Sequence, residues 1–161
     1  MALAASIERT NVDLHNEMIK KAEDLIPVLK ERSESANVDR RIPKETIQDM
    51  KDAGFFKILQ PKQYGGFELD PHTFSEVQLR ISQGCMSTAW VLGVIGIHPF
   101  QLALYDNKAQ TEVWGEDDDT LVSSSYAPMG QVTPVDGGLS SLVIGNGLAA
   151  LSIVIGLCLV D

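Results

Sequence analysis

One histidine stands before a proline in the apolar stretch GVIGIHPFQ. The residue preceding proline avoids helical backbone angles, so His98 is expected at a helix break, its ring near a cavity or an interface. It is either a working group or a buried histidine with its hydrogen bonds satisfied. Ser123, Ser124 and Ser125 put three hydroxyls side by side, which offers donors to a polar ligand or else decorates an exposed edge strand. Trp90 lies in CMSTAWVLG among Cys85, Ser87, Ala89 and Gly93. Small residues let a flat ligand or another backbone come close; core packing is the alternative. The stretch Tyr64–Phe67 of QYGGF reads as a ligand loop or, more simply, a tight turn. Glu116–Asp119 reads as a solvated acidic loop, since calcium loops need regularly spaced ligands and a glycine turn. There is no GxSxG elbow and no Ser/His/Asp triad spacing. Cys85 and Cys158 are far apart, and His15, His72 and His98 lack ligand spacing, so no metal site is expected.

The chain of 161 residues is 44% hydrophobic and 22% charged, with a formal net charge of −9. That length supports one domain with a core, and the acidic balance excludes phosphate-backbone binding, so no nucleic-acid partner is expected. The start MALAASIERTNVD has no basic segment followed by an apolar run. A reducing, cytoplasmic location is the expectation.

Helices must position these residues. From about Asn11 to Ser33, Val12, His15, Ile19, Ala22, Ile26 and Leu29 recur at helical spacing, with Pro27 as an interruption. ERSESANVDRR then reads as a loop. A second helix is expected from Pro43 to Gly54, followed by the apolar run FFKILQP and a glycine turn. Asp70 is a predicted N-cap with Pro71 in the first turn, and Phe74, Val77 and Ile81 share a face. Ser87–Tyr105 is nearly uncharged and predicts a buried central helix, broken or restarted at Pro99. A short helix around Lys108–Trp114 follows. TLVSSSYAP and QVTPVDGG then predict two strands.

Three stretches in order, RRIPKETIQDMKDAGFFKILQPKQYGGFELD, CMSTAWVLGVIGIHPFQLALYD and VSSSYAPMGQVTPVDGG, resemble the N-terminal half of the acyl-CoA dehydrogenase superfamily. Within it they are similar to the oxygenase components of two-component flavin-dependent aromatic monooxygenases, of the hydroxyphenylacetate and seco-steroid phenol types. Where acyl-CoA dehydrogenases carry a TEP.AGSD-type motif, this chain has SSSYAPMG, which favours the hydroxylase branch. The resemblance implies a mainly α fold: an acyl-CoA dehydrogenase-like helical domain, then the first strands of a truncated β-domain. It implies hydroxylation of a phenolic or other aromatic small molecule with O2 and reduced flavin, FMN or FAD, through a C4a-hydroperoxyflavin. A separate flavin reductase would supply the cofactor, and the intact family forms homo-oligomers. On this resemblance His98 falls on the histidine that takes the phenol proton, and Ser124 on a flavin-facing serine assigned a catalytic role. Ser123, Ser125 and Trp90 join Ser124 along the flavin.

The ending LVIGNGLAALSIVIGLCLVD is free of charge as far as Val160. It is long enough for a tail anchor, but Asn146, the glycines, the two early serines and the lack of flanking lysine or arginine argue against a membrane partner. VIGNGLAAL mimics a dinucleotide-binding turn, but too little chain follows to complete a βαβ unit. The third reading is a frameshift. Read two bases later from Asn146, with permitted synonymous codons, the segment recovers the W.SSG...HCDW motif with which the resembling family continues. The expected organisation is a helical domain over 1–115, the start of a β-domain over 116–138, and an out-of-frame apolar tail over 139–161. Such a fragment is expected to be inactive alone and to hold no flavin tightly. The alternatives are a fragment of an acyl-CoA dehydrogenase or of a heteroaromatic S- or N-oxygenase, and, outside enzymes, a helical interaction or tail-anchored protein.

Overall fold

A computed structural model describes residues 2–122, 130–136 and 138–143. The helical part comprises α1 (Ala2–Val38), α2 (Lys44–Asp52), α3 (Pro71–Gly84), α4 (Met86–Gly96), α5 (His98–Leu102) and α6 (Asn107–Trp114). Two 3₁₀ turns, Phe55–Lys57 and Lys62–Tyr64, lie between α2 and α3. Strands β1 (Gly130–Val135) and β2 (Gly138–Val143) pair antiparallel, with Val132 opposite Ser141. The fold is mainly α, as expected. QVTPV is a strand as read; of TLVSSSYAP, Leu121 and Val122 are not in a strand, and residues 123–129 lie outside the described residues.

Helix α1 is longer than its apolar pattern indicates. ERSESANV continues the helix rather than looping, because Glu, Arg and Ala are good helix formers and tertiary contacts hold this end. Ala36 is buried. Arg32 donates to the Asp49 carboxylate at 2.6 Å and to the Thr46 hydroxyl at 3.2 Å, pinning α1 to α2. Pro27 does not end the helix. It sits at an exposed position, where water can satisfy the carbonyl it leaves without an amide partner. The buried stripe is also turned from the expected one. Val12 is exposed, while Met18, Ala22 and Leu29 are in the core with Leu14, Ile19 and Leu25 against them.

Helix α3 begins as read. The Asp70 carboxylate accepts from the Thr73 amide at 2.9 Å, and Pro71 occupies the first turn. His15 of α1 hydrogen-bonds the Thr73 hydroxyl at 2.8 Å. Gly84 lets α1 approach: a Cβ there would stand 2.7 Å from Leu29 Cβ and 3.0 Å from the Ile26 carbonyl oxygen. The core joins Met18, Leu29, Met50, Phe55, Ile58, Val77, Ile81 and Leu92, all almost wholly buried, and each large apolar side chain so buried contributes roughly 1.5–3 kcal/mol. A smaller cluster joins Leu102, Trp114 and Val122, with Tyr64 and Val113 against it.

Candidate functional site

His98 is carried by the α4–α5 junction. Helix α4 runs antiparallel to α3: the Gln78 amide donates to the Ala89 carbonyl at 3.2 Å, and the Phe74 ring occupies the space a Cβ at Gly96 would need. That close approach at Gly96 brings the end of α4 onto the core. The break then falls at Ile97, which keeps helical angles, and His98 opens α5 with Pro99 behind it in the first turn. The interruption thus precedes the histidine rather than the proline. The His98 ring is buried, with 2% of its surface exposed. Burial holds its pKa below the usual histidine value, because charging an imidazole away from water is costly. A neutral imidazole is an acceptor as well as a donor, the state in which histidine takes a proton.

Trp90 lies elsewhere in its surroundings. It is 72% exposed, in line with Met86 and Val94 at four-residue spacing along α4. The expectation of a buried central helix is therefore corrected. Only the side of α4 carrying Thr88, Ala89, Leu92 and Ile95 is buried. The opposite side is apolar yet exposed at Met86, Trp90 and Val94 among the described residues. His98 and Trp90 thus lie on successive helices but not in one environment. Ser123, Ser124 and Ser125 lie outside the described residues.

The QYGGF stretch is a tight turn, not an open ligand loop. Gly65 has φ +74°, and a Cβ at Gly66 would collide with the Gln60 carbonyl. The Tyr64 hydroxyl hydrogen-bonds Thr111 at 2.8 Å, and its ring packs on Trp114 at 5.6 Å. The acidic loop is not simply solvated. Lys57 Nζ bridges Asp119 at 2.5 Å and Asp118 at 3.3 Å. Partial burial pulls the Lys57 pKa down, but hydrogen bonds to and the charges of Asp119 and Asp118 outweigh it and hold the ammonium above its ordinary value. The Lys57 hydrogen bond lowers the Asp119 carboxyl in return. The carboxylate oxygens of Asp117, Asp118 and Asp119 lie within 4.8 Å of one another, but Lys57 neutralises two of them. A cleft of about 340 Å³ beside this loop is lined by Glu112, Val113, Glu116, Asp117, Thr120, Leu121 and Val122, and includes neither His98 nor Trp90.

Residues 5–116 match the family model described as acyl-CoA dehydrogenase, N-terminal domain. The chain belongs to that family. It is 47% identical over 116 residues to the flavin-dependent monooxygenase oxygenase subunit HsaA of Mycobacterium tuberculosis, covering 72% of this chain and 29% of that one. The crystal structure of that monooxygenase superposes with a TM-score of 0.74 at 43% identity, covering 79% of this chain and 35% of the other. The oxygenase component of p-hydroxyphenylacetate 3-hydroxylase from Acinetobacter baumannii is 35% identical over 122 residues, 76% of this chain and 29% of its own. XiaF from Streptomyces, solved with FADH2 and glycerol, superposes with a TM-score of 0.78 at 25% identity over 84% of this chain and 34% of that one. The chain therefore spans about three tenths of the length of the curated relatives it matches. Among the described residues no helix is long and apolar enough to cross a membrane.

Proposed function

We propose that the chain is the N-terminal part of a reduced-flavin-dependent monooxygenase that hydroxylates a phenolic or other aromatic compound. The observation that carries this is the 47% identity to a flavin-dependent oxygenase subunit across the helical domain. The residues suit a flavin. The flank of α4 bearing Met86, Trp90 and Val94 is apolar and uncharged, which fits a planar ring system. Trp90 and the hydroxyls of Ser123–Ser125 would hold it, and it would supply the oxygen-activating chemistry when bound. Ser124 is also assigned a catalytic role beside the flavin. His98, kept neutral by burial, accepts the phenol proton and so raises the nucleophilicity of the ring. A flavin reductase is the proposed partner, in the cytoplasm, and the intact protein is proposed to form a homo-oligomer.

The domain reading goes with it: a helical domain over 1–115, the start of a β-domain over 116–138, and an out-of-frame segment from 139. Of that segment Leu139–Val143 pair with β1, and residues 144–161 lie outside the described residues. Resequencing the coding DNA from the codon for Pro134 onward tests the frame. For the function, residues 1–138 can replace the matching part of the p-hydroxyphenylacetate 3-hydroxylase oxygenase component. Hydroxylation coupled to flavin oxidation supports the reading, and His98→Ala should lower product formation more than flavin oxidation. Tight binding of reduced flavin by the 161-residue chain alone would overturn its reading as a fragment.

A further inference from the structure

The buried polar residue Gln60 closes the apolar run FFKILQ and is 3% exposed. Its side-chain amide donates to two backbone carbonyls, Tyr64 at 2.5 Å and Asp118 at 2.8 Å. Its backbone carbonyl accepts from the Glu68 backbone amide at 3.0 Å. One side chain therefore ties the tight turn at 61–66 to the acidic loop 58 residues away. The two loops are also in van der Waals register. A Cβ at Gly65 would overlap an Asp118 carboxylate oxygen, and Lys57 bridges Asp118 and Asp119. The buried Trp114 indole, on which Tyr64 of the same turn packs, donates to the Thr120 carbonyl at 3.2 Å. Leu121 packs against the main core and Val122 enters the smaller cluster. The chain from Asp118 to Val122 is thus held at successive residues, and the residues that follow it are Ser123, Ser124 and Ser125.

We infer that Gln60 is a positioning residue, the centre of a latch that locks residues 118–122 onto the turn at 61–66 and so sets the approach of the chain to Ser123–Ser125. The role in positioning rests on the proposed reading of those serines as flavin-facing; the latch itself does not. The division of labour follows from burial. The ion pairs of Lys57 are made to carboxylates that are 49% and 64% exposed, and pairs so exposed contribute little. The Gln60 bonds are buried, where losing a donor leaves carbonyls unsatisfied. Gln60 therefore dominates and Lys57 assists.

The test is hydrogen exchange by NMR on the 161-residue chain, with no flavin present, so that failure of the flavin reading leaves the result interpretable. The probes are the Trp114 indole N–H and the Thr120 amide, which donates to the Asp117 carbonyl; helix amides of α1 and α3 are the controls. Gln60→Met removes both donors, and Gln60→Glu sets a carboxylate against the two carbonyls. Either is expected to lower protection at both latch probes about tenfold, with the controls unchanged, while Lys57→Gln lowers it only severalfold. The amide shifts of Ser123–Ser125 are expected to move with Gln60→Met. Unchanged latch protection overturns the inference, as does equal loss in latch and controls. Latch probes that respond while the serine shifts stay fixed would remove the positioning role. Should both Gln60 variants fail to fold, the unsubstituted chain decides. Its two latch probes must share one opening equilibrium, distinct from that of α3, and separate values refute the latch.

Discussion

Acidification should destabilise this chain through His98 in a way that one substitution removes. The ring is 2% exposed and burial keeps its pKa below the ordinary value, whereas in the unfolded chain a histidine titrates near 6.5. Below that value the unfolded chain binds a proton that the folded chain refuses. The stabilising contribution of the neutral ring is fully present above the unfolded-state value. It is lost as the pH falls from there towards the lower folded-state value, and below that it changes no further. If the ring stays neutral throughout, going from about pH 7.5 to about pH 5.5 costs at most about 1.4 kcal/mol, the free energy of one proton withheld across one pH unit. Urea unfolding followed by far-UV circular dichroism at about pH 7.5, 6.5 and 5.5 measures it. His98→Gln lacks the titrating group, so the difference between the two pH dependences isolates His98 from carboxylates and from His15 and His72. The native chain should lose up to that amount relative to the variant. Parallel pH dependences, or a native chain that gains stability over the variant on acidification, would refute a ring held neutral by burial. They would also remove the physical ground for His98 as the phenol base.

Two packing features make further predictions. Asp70→Ala removes the carboxylate that accepts from the Thr73 amide at 2.9 Å; thermal unfolding should show a loss of about 1 kcal/mol, and an unchanged midpoint would mean the cap contributes nothing. Gly84→Ala forces a methyl group to within 2.7 Å of Leu29 Cβ and 3.0 Å of the Ile26 carbonyl. Separating α1 from α3 should cost about 1–3 kcal/mol in urea unfolding, whereas a neutral or stabilising result, as helix propensity alone would give, would show that the interface yields freely.

Much of the molecule was legible in one dimension. The cap at Asp70 and Pro71, the turn at Gly65, the short helix ending at Trp114 and the strand QVTPV each follow from local chemistry: a side chain bonding its own backbone, a residue free to take positive φ, a run of β-branched residues. The order of the motifs carried the family as well, because a succession of short stretches at fixed spacing is seldom met by chance. What the tertiary structure decided is everything that depends on a partner distant in the chain. ERSESANV looked like a loop because it lacks an apolar stripe, but Arg32 reaching Asp49 and the buried Ala36 hold it as helix. The uncharged α4 looked buried all round, yet hydropathy cannot say which flank a neighbour covers, and Trp90 stands outward. The acidic run looked solvated, but Lys57 sits beneath it. Gln60 left only one sign, a polar residue ending an apolar run, and nothing local could place its amide against the Asp118 carbonyl 58 residues on. Periodicity reports how a segment divides apolar from polar; it carries no information about the far-off group that a buried polar side chain requires, and only the folded chain supplies that.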